Sequence, residues 1–373
     1  MEAKALVAMS GGVDSSVAAY LVKEAGHEPV AVTMRLFDAG DICADGEGGG
    51  EKSCCSLKDV EDARGVAEHL DIPFFVYNLR DEFKEQVIAR FVDGYLSGNT
   101  PNPCIDCNRY LKFSALLGRA RQLGMEHIVT GHYARIEEDE NSGRYLLKKA
   151  LDHTKDQSYV LYNMTQDVLR QTIFPLGELS KDEIRKIAAT RGFGNAKKPD
   201  SQDICFVPGG DYAAFIEHYR GEAAMEGDFI DLSGAILGRH RGLIRYTIGQ
   251  RKGLGLALSD PLYVHSKNAT ENTVILSEEK DLYARTLEAA DFNWIAHEKP
   301  PASIRIKAKL RYAQSEQWAV AEAGPDGRVQ LTFDEPQRAI TPGQAVVLYD
   351  GEVVVGGGRI FMPKTTATLT PSS

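Results

Sequence analysis

The sequence predicts an α/β domain with a doubly wound parallel sheet, followed by a small β-rich central domain and a C-terminal β-barrel. Three features of the chain predict it. From Ala5 to about Phe206, apolar strand-like runs alternate with runs of helical period, the pattern of a parallel sheet covered by helices. Near Gly209 the texture changes to short β-like runs separated by glycines. From Asp291 onward the pattern is wholly β, with alternation at period 2. A chain of 373 residues is long enough for two or three domains with their own cores. The texture changes put them at residues 1–208, 209–288 and 289–365, with a flexible tail over 366–373.

The elements follow in order. An apolar strand begins at Ala5, runs into a glycine turn at Gly11 and Gly12, and gives way to an apolar-periodic helix from Val13. Residues 29–34 read as a second strand, and residues 38–53 as a loop rich in Gly, Asp and Glu. Residues 57–70 read as an amphipathic helix, 73–78 as a strand and 81–96 as a helix. Residues 99–108 read as a Pro/Asn/Cys loop, 110–123 as a helix, and 128–130 as a strand ending at Gly131 and His132. In such a fold, ligands are expected at the carboxyl ends of the strands. The central domain carries basic residues at Arg239, Arg241, Arg245, Arg251 and Lys252. In the C-terminal domain, alternation over 304–311 puts Arg305, Lys307, Lys309 and Arg311 on one strand face. That face reads either as solvated or as a basic track for an RNA backbone. Residues 329–333, 345–349 and 353–361 complete a barrel-like set.

The first strand–turn–helix unit carries chemistry. Small residues at Ser10, Gly11 and Gly12 let backbone N–H groups approach an anion, and the helix behind them points its unpaired amides at the same place. Asp14 and Ser15 stand at the helix start, where they can cap it, hold Mg²⁺ or touch phosphate. The motif is neither G-x-G-x-x-G nor G-x-x-x-x-G-K-S/T, so dinucleotide-fingerprint and Walker readings are set aside.

Composition narrows the classes. Charged residues make up 26% and hydrophobic ones 43%, ordinary for a globular soluble chain. No apolar run reaches membrane-spanning length and no signal peptide is read ahead of the first strand, so a cytoplasmic protein with no membrane partner is expected. The formal net charge of −10 argues against nucleic-acid binding over the whole surface and leaves room for a local basic face. Six cysteines, at 43, 54, 55, 104, 107 and 205, do not form a secreted disulfide pattern. Cys104 and Cys107 stand in C-x₂-C spacing, and Cys205 lies beyond a further α/β stretch. Three thiolates can hold an iron–sulfur cluster with one iron unligated, or three positions on zinc. Two thiols alone can act as nucleophile and persulfide carrier, and three unrelated thiols is the remaining reading. Cys54 and Cys55 read as buried thiols, or with Cys43 as a second metal site.

The Ser10–Ser16 stretch resembles the PP-loop of the N-type ATP pyrophosphatases, which cleave ATP between the α- and β-phosphates and adenylate a substrate oxygen. With the cysteines, the resemblance extends over nearly the whole chain to the bacterial tRNA-uridine 2-sulfurtransferases, the 2-thiouridylases of MnmA type. Its marks are Cys54, Cys55 and Ser56 ahead of Asp59, Asp62, Ala63 and Arg64; Thr100, Pro101, Asn102 and Pro103; and Thr130, Gly131, His132, Tyr133, Ala134 and Arg135. Further marks are Lys155, Asp156, Gln157, Ser158 and Tyr159; the run from Ser201 to Phe206; Gly249 to Gly253; and Thr341, Pro342, Gly343 and Gln344.

The resemblance implies that ATP adenylates O2 of the wobble uridine in tRNAs for lysine, glutamate and glutamine, and that sulfur then displaces AMP to leave 2-thiouridine. It implies ATP binding by Ala8, Met9, Ser10, Gly11, Gly12, Val13, Asp14 and Ser15, by Met34 at the adenine, and by Gly131. The target base would lie against Asn102, Pro103 and Cys104, and tRNA contacts would come from His132, Lys155, Asp156, Gln157, Arg311, Tyr312 and Gln344. Cys107 and Cys205 match the family's nucleophile and persulfide cysteine. The chain departs from many members in having Cys104 where they carry aspartate. A subset with C-x₂-C and a distant cysteine resembles iron–sulfur enzymes, and in that reading Cys104, Cys107 and Cys205 hold a 4Fe–4S cluster. The sulfur donor would be a cysteine desulfurase, a relay protein or free sulfide. A PP-loop ligase acting on a small metabolite, and an RNA-binding or metal-sensing module, are the competing classes.

Overall fold

The computed structural model describes residues 3–38, 57–200, 203–257 and 260–361. Cys43, Cys54, Cys55, Ser201, Gln202, most of the loop expected over 38–53 and the expected tail lie outside the described residues.

Strand β1 (Lys4–Ala8) is the centre of a parallel sheet. Its Ala5, Leu6 and Val7 are fully buried, as a strand covered on both faces requires. Helix α1 (Val13–Glu24) follows, then β2 (Glu28–Arg35), α2 (Leu57–His69) and β3 (Phe74–Asn78). Helix α3 runs on through Arg80–Phe83, Lys84–Ala89 and Arg90–Leu96, its middle segment π-type. Helix α4 likewise runs through Pro103–Asp106, Cys107–Leu116 and Leu117–Gln122, and leads to β4 (His127–Thr130). Antiparallel strands β5 (Ala134–Asp139) and β6 (Arg144–Lys149) come next. Then come α5 (Gln166–Arg170), β7 (Thr172–Ile173), α6 (Lys181–Thr190) and α7 (Tyr212–Arg220). The sheet order is β3-β2-β1-β4-β7. The chain leaves β1 in one direction and later returns to its other side, so the switch point lies between the carboxyl ends of β1 and β4, where ligands bind in such sheets.

Two features differ from the sequence reading. The segment expected as a loop over 99–108 is helical from Pro103, so Cys104 and Cys107 stand one turn apart on α4. Asn102 accepts from the Cys104 amide and Pro103 occupies the first helical position. Both are helix-start chemistry, which the Pro/Asn composition disguised as loop. The hairpin β5–β6 was not expected either.

The remaining strands form two β units. Strands β8 (Gly227–Ile230), β9 (Ile236–His240), β10 (Tyr263–Asn268) and β11 (Thr273–Ser277) make a sheet in the order β10-β11-β8-β9. Then come β12 (Tyr283–Trp294), β13 (Ser303–Lys309), β14 (Gln317–Ala323), β15 (Val329–Arg338), β16 (Ala345–Asp350) and β17 (Val353–Phe361). Pairing of β12 with β17 closes these strands into a barrel, six-stranded among the described residues. The hairpin β5–β6 extends it: Leu147 stands opposite Val354 of β17. The core cluster beneath this seam joins Leu6, Ile128 and Leu116 of the α/β domain to Val347 and Tyr349 of the barrel. Among the described residues, no helix is long and apolar enough to cross a membrane.

Leu147 is fully buried at the seam. Leu147→Ala is expected to destabilise the protein by about 2–5 kcal/mol, read by urea unfolding.

Candidate active site

The turn after β1 is shaped by backbone proximity. Gly11 has φ +73°, and a Cβ there would stand 2.3 Å from the Asp59 carbonyl oxygen. A Cβ on Gly131, just past β4, would stand 2.8 Å from the Ser15 amide nitrogen. Glycine is required at both positions. Gly12 precedes α1 with no side-chain cap on the helix, so the amides of its first turn point at the mouth between β1 and β4. Ser15 Oγ instead accepts from the Ser10 amide at 3.1 Å and donates to the Gly12 carbonyl at 3.0 Å, which locks the turn. Met9 is buried and held by Thr33 Oγ1 donating to its carbonyl at 2.8 Å. Val13 is buried in one core cluster, and Ala8 and Met34 are half-buried against another.

Lys181, Lys198 and Asp200, which the sequence pattern does not single out, join Asp14, Asp59, Asp62 and Lys155 around this turn. Lys181 Nζ donates to both carboxylate oxygens of Asp14, at 2.7 and 2.9 Å, and the Tyr133 hydroxyl donates to the same carboxylate at 2.7 Å. Lys181 also pairs with Asp200 at 2.7 Å, and Asp200 takes Lys155 at 2.8 Å. Burial alone would raise the Asp200 carboxyl, but the hydrogen bonds from Lys155 and Lys181 outweigh it and hold it down to about 2. On the opposite lip, Lys198 Nζ bonds Asp59 at 2.5 Å, Asp62 at 2.6 Å and the Gly11 carbonyl at 3.2 Å. Burial disfavours the charge on Lys198, yet the two aspartates raise its pKa. Asn195 donates to the same Gly11 carbonyl at 3.0 Å. The sequence signal available was the polar run from Asn195 to Asp200; only the fold brings it to the turn.

Cys104 is exposed, and Cys107 and Cys205 are half-buried. Met34, Cys107 and Cys205 all pack against one core cluster, built on Phe83, Phe91, Leu111 and Phe206. Tyr212 and Tyr312 are both raised, chiefly by burial, and Cys104 contributes to both. The Tyr212 hydroxyl donates to Asp203 at 2.9 Å, two residues before Cys205. The structure thus brings the C-x₂-C helix, the Cys205 segment and the Met34 strand end to one region. Among the described residues, no three His, Cys, Asp or Glu side chains converge as they would on a single metal ion.

Three family models match the chain: a tRNA methyl transferase HUP domain over residues 3–209, a tRNA methyl transferase PRC-barrel domain over 213–278, and an aminomethyltransferase beta-barrel domain over 284–360. The chain is 48% identical over 360 residues to a tRNA-specific 2-thiouridylase MnmA of Clostridioides difficile, covering 96% of this chain and 98% of that one. It is 52% identical over 355 residues to the protein of that name from Moorella thermoacetica, covering 95% and 98%. The chain belongs to the tRNA-specific 2-thiouridylase MnmA family. Among solved structures, it is similar to a 4-thiouridine synthetase in complex with RNA and ATP, with a TM-score of 0.35 and 18% identity over 56% of this chain and 46% of that one. It is also similar to the U34-tRNA thiolase NcsA of Methanococcus maripaludis with its [4Fe-4S] cluster, with a TM-score of 0.34 and 16% identity over 59% of this chain and 70% of that one.

The family resemblance marked seven residues as RNA contacts, and the structure gives several of them internal partners. Asp156 is buried and accepts from the Ala150 and Ser158 amides and from Ser158 Oγ. Gln157 exchanges bonds with the Tyr133 backbone. Lys155 pairs with Asp200. Arg311 lies past the end of β13, where its guanidinium donates to the Ala339 carbonyl. Tyr312 is 44% exposed, with Lys309 Nζ 5.6 Å from its ring centre. Gln344 donates to the Thr100 carbonyl at 2.6 Å. His132 is buried between Phe113 and Phe174. Lys112 can only donate, so His132 Nε2 accepts from it at 3.4 Å and Nδ1–H donates to Thr130 Oγ1 at 2.7 Å.

Burial and then Lys112 push His132 well below the ordinary histidine range, so it stays neutral. The unfolded chain therefore takes up this proton first as pH falls. The stability it contributes is complete above about pH 6.5 and declines below it. Urea unfolding along a pH series checks this: the wild type should lose stability between about pH 7 and 5 more steeply than His132→Gln.

Proposed function

We propose that this protein activates a tRNA uridine with ATP and replaces the activated oxygen with sulfur, giving 2-thiouridine, AMP and pyrophosphate. The observation that carries the reading is the shared core cluster under Met34, Cys107 and Cys205: a nucleotide-side residue and two thiols stand on one support. The finer reading is that O2 of the wobble uridine is adenylated, in tRNAs for lysine, glutamate and glutamine. A carbonyl oxygen is a poor leaving group and AMP a good one, so adenylation makes the carbon open to sulfur. The uncapped α1 amides take the phosphates, and Lys181 and Lys198 lie on either side to neutralise the charge that leaves as pyrophosphate. Asn102, Pro103 and Cys104 present the start of α4 to a base turned out of its loop. The setting we infer is cytoplasmic.

Asp14 stands half-exposed in the first turn of α1 and is the residue that would hold Mg²⁺; the metal supplies charge neutralisation at the phosphates. Cys104, Cys107 and Cys205 are the donor set that would hold a 4Fe–4S cluster. Two thiols share one helical turn and the third lies on a segment packed on the same core; the donors are of the kind an all-thiolate cluster takes. Such a cluster supplies an iron without a protein ligand, open to inorganic sulfide. A second reading is supported by Cys107 and Cys205 being half-buried on the same cluster while Cys104 is exposed. In it, the terminal sulfur of a Cys205 persulfide attacks the activated carbon and AMP leaves. Cys107 thiolate then attacks the Cys205 sulfur, releasing 2-thiouridine and leaving a disulfide that a thiol reductant reopens.

Unmodified tRNA, ATP, Mg²⁺ and a sulfur source, incubated anaerobically with the protein, should yield 2-thiouridine by nucleoside mass spectrometry. Pyrophosphate release without tRNA, and no thiolated base, would move the protein to the small-metabolite ligases. Cys107→Ala and Cys205→Ala should abolish thiolation while ATP binding persists. Cys104→Ala, with iron and sulfide counted, separates the two sulfur routes: full loss with loss of iron supports the cluster, and a mild effect in an iron-free protein supports the persulfide. Lys198→Met should raise the ATP KM about tenfold to a hundredfold, the worth of a charge-assisted phosphate contact, measured by pyrophosphate release.

A further inference from the structure

The start of α4 is gripped from outside its own domain. One corner of the barrel, the turn through Gly343 and Gln344, is tied to β17: the Gly343 amide donates to the Ile360 carbonyl at 3.0 Å, and the Ile360 amide donates to the Gln344 carbonyl at 2.8 Å. From this corner Gln344 Nε2 reaches the Thr100 carbonyl at 2.6 Å, and the Pro342 carbonyl accepts from the Thr100 amide at 2.9 Å. Gly343 has φ +90°, and a Cβ there would stand 3.0 Å from Asn99 Cβ and from the Thr100 amide nitrogen. Next to it on β17, Arg359 donates to Asp106 Oδ1 at 3.2 Å. Asp106 is 5% exposed and lies inside the C-x₂-C sequence, between Cys104 and Cys107. The barrel corner therefore holds both ends of the segment from Asn99 to Asp106, bracketing Asn102, Pro103 and Cys104.

The α/β domain does not close its own polar network on this segment. Thr100 Oγ1, Asn108 Oδ1 and Asn163 Oδ1 are buried without hydrogen-bond partners, although Asn163 Nδ2 reaches the Ile105 carbonyl at 3.3 Å and Asn108 Nδ2 the Val160 carbonyl at 3.0 Å. Unmet groups of this kind do not define a register. The contact between Arg359 and Asp106 does, because a hydrogen bond is directional and this one joins a side chain of α4 to one of β17.

We propose that Arg359 and Gln344 are positioning residues: the barrel corner sets the register of the cysteine helix through Asp106 and Thr100, and so aims Cys104 and Cys107 at the activated base. The inference rests on the thiolation reading above and deepens it. It gives the barrel a part in chemistry, and it gives Gln344 a partner within the chain where family resemblance suggested RNA. Neither Arg359 nor Gln344 has to touch the substrate for this; a helix start displaced by about 1 Å is enough to cost up to about a hundredfold in rate.

The test compares wild type, Arg359→Gln, Arg359→Lys and Gln344→Ala for kcat and tRNA KM in thiolation, tRNA affinity by filter binding, melting temperature, and the profile of iodoacetamide alkylation rates of Cys104 and Cys107 at one pH, by peptide mass spectrometry with iron counted in each sample. Cys205 alkylation is the internal reference. The expected result is kcat lowered about tenfold to a hundredfold in Arg359→Gln and lowered in Gln344→Ala. tRNA affinity should be unchanged, the alkylation profile of Cys104 and Cys107 shifted against Cys205, and most of both effects restored in Arg359→Lys. Loss of tRNA affinity with kcat intact would make these residues RNA contacts and overturn the proposal. So would an unchanged kcat and alkylation profile, or a lysine variant as impaired as the glutamine variant with the same fall in melting temperature. The alkylation profile needs no turnover. A wild type that forms no 2-thiouridine therefore refutes the thiolation reading, while the profile still reports on the grip of the barrel.

Discussion

The approach of two glycines to a helix start is the constraint on which the rest of this molecule depends. Gly11 abuts the Asp59 backbone and Gly131 abuts Ser15, each at a separation that leaves no space for a side-chain carbon. These contacts bring the first turn of α1 to the switch point of the sheet and leave its amides without a side-chain cap. A helix end of this kind is a fixed positive pole. The surrounding charges are arranged about it.

The charges around that pole are balanced within the protein. Lys181 is shared by Asp14 and Asp200, and Lys198 by Asp59 and Asp62. Pairs this enclosed contribute little net stability, because removing ions from water offsets most of their attraction. They keep two cations oriented at the lips of an anion site in a chain whose formal net charge is −10. An incoming phosphate competes with carboxylates for lysines already in place, so no flexible side chain must be ordered at the moment of binding. His132 shows the opposite treatment: an ionisable group between two aromatic rings, kept neutral by burial.

The barrel is more than an appendage to the nucleotide-binding domain. The hairpin β5–β6 continues its sheet, and a core cluster runs from Leu6 beneath the parallel sheet to Tyr349 in the barrel. Tyr159 lies fully buried at this junction and donates to the Ala345 carbonyl at 2.9 Å. A seam built on packed apolar side chains transmits position, because close-packed interiors do not deform continuously. The cation-bearing strand β13, with Trp318 beside Arg305 and Lys307 and with Tyr312 beside Lys309, belongs to the same rigid barrel.

What the sequence by itself determined is local. Apolar runs of period 2 and 3.6 gave β1, α1, α2, β16 and β17 close to their observed limits, because each buries a face dictated by its own spacing. The Ser10 to Ser16 segment was legible as a tight strand-to-helix turn because its small residues act on their own backbone. Helix-start signals at Asn102 and Pro103 were present too, hidden by a composition that also suits loops. The tertiary structure alone decided which distant groups meet. It brought Lys181 and Lys198 to the turn, took Arg311 and Gln344 to backbone carbonyls, turned His132 inward, and set Arg359 against Asp106. These contacts join residues far apart in the chain, and no local period encodes them. They exist because the sheet, the hairpin and the closed barrel share one packed core, and that packing leaves each side chain a single set of neighbours.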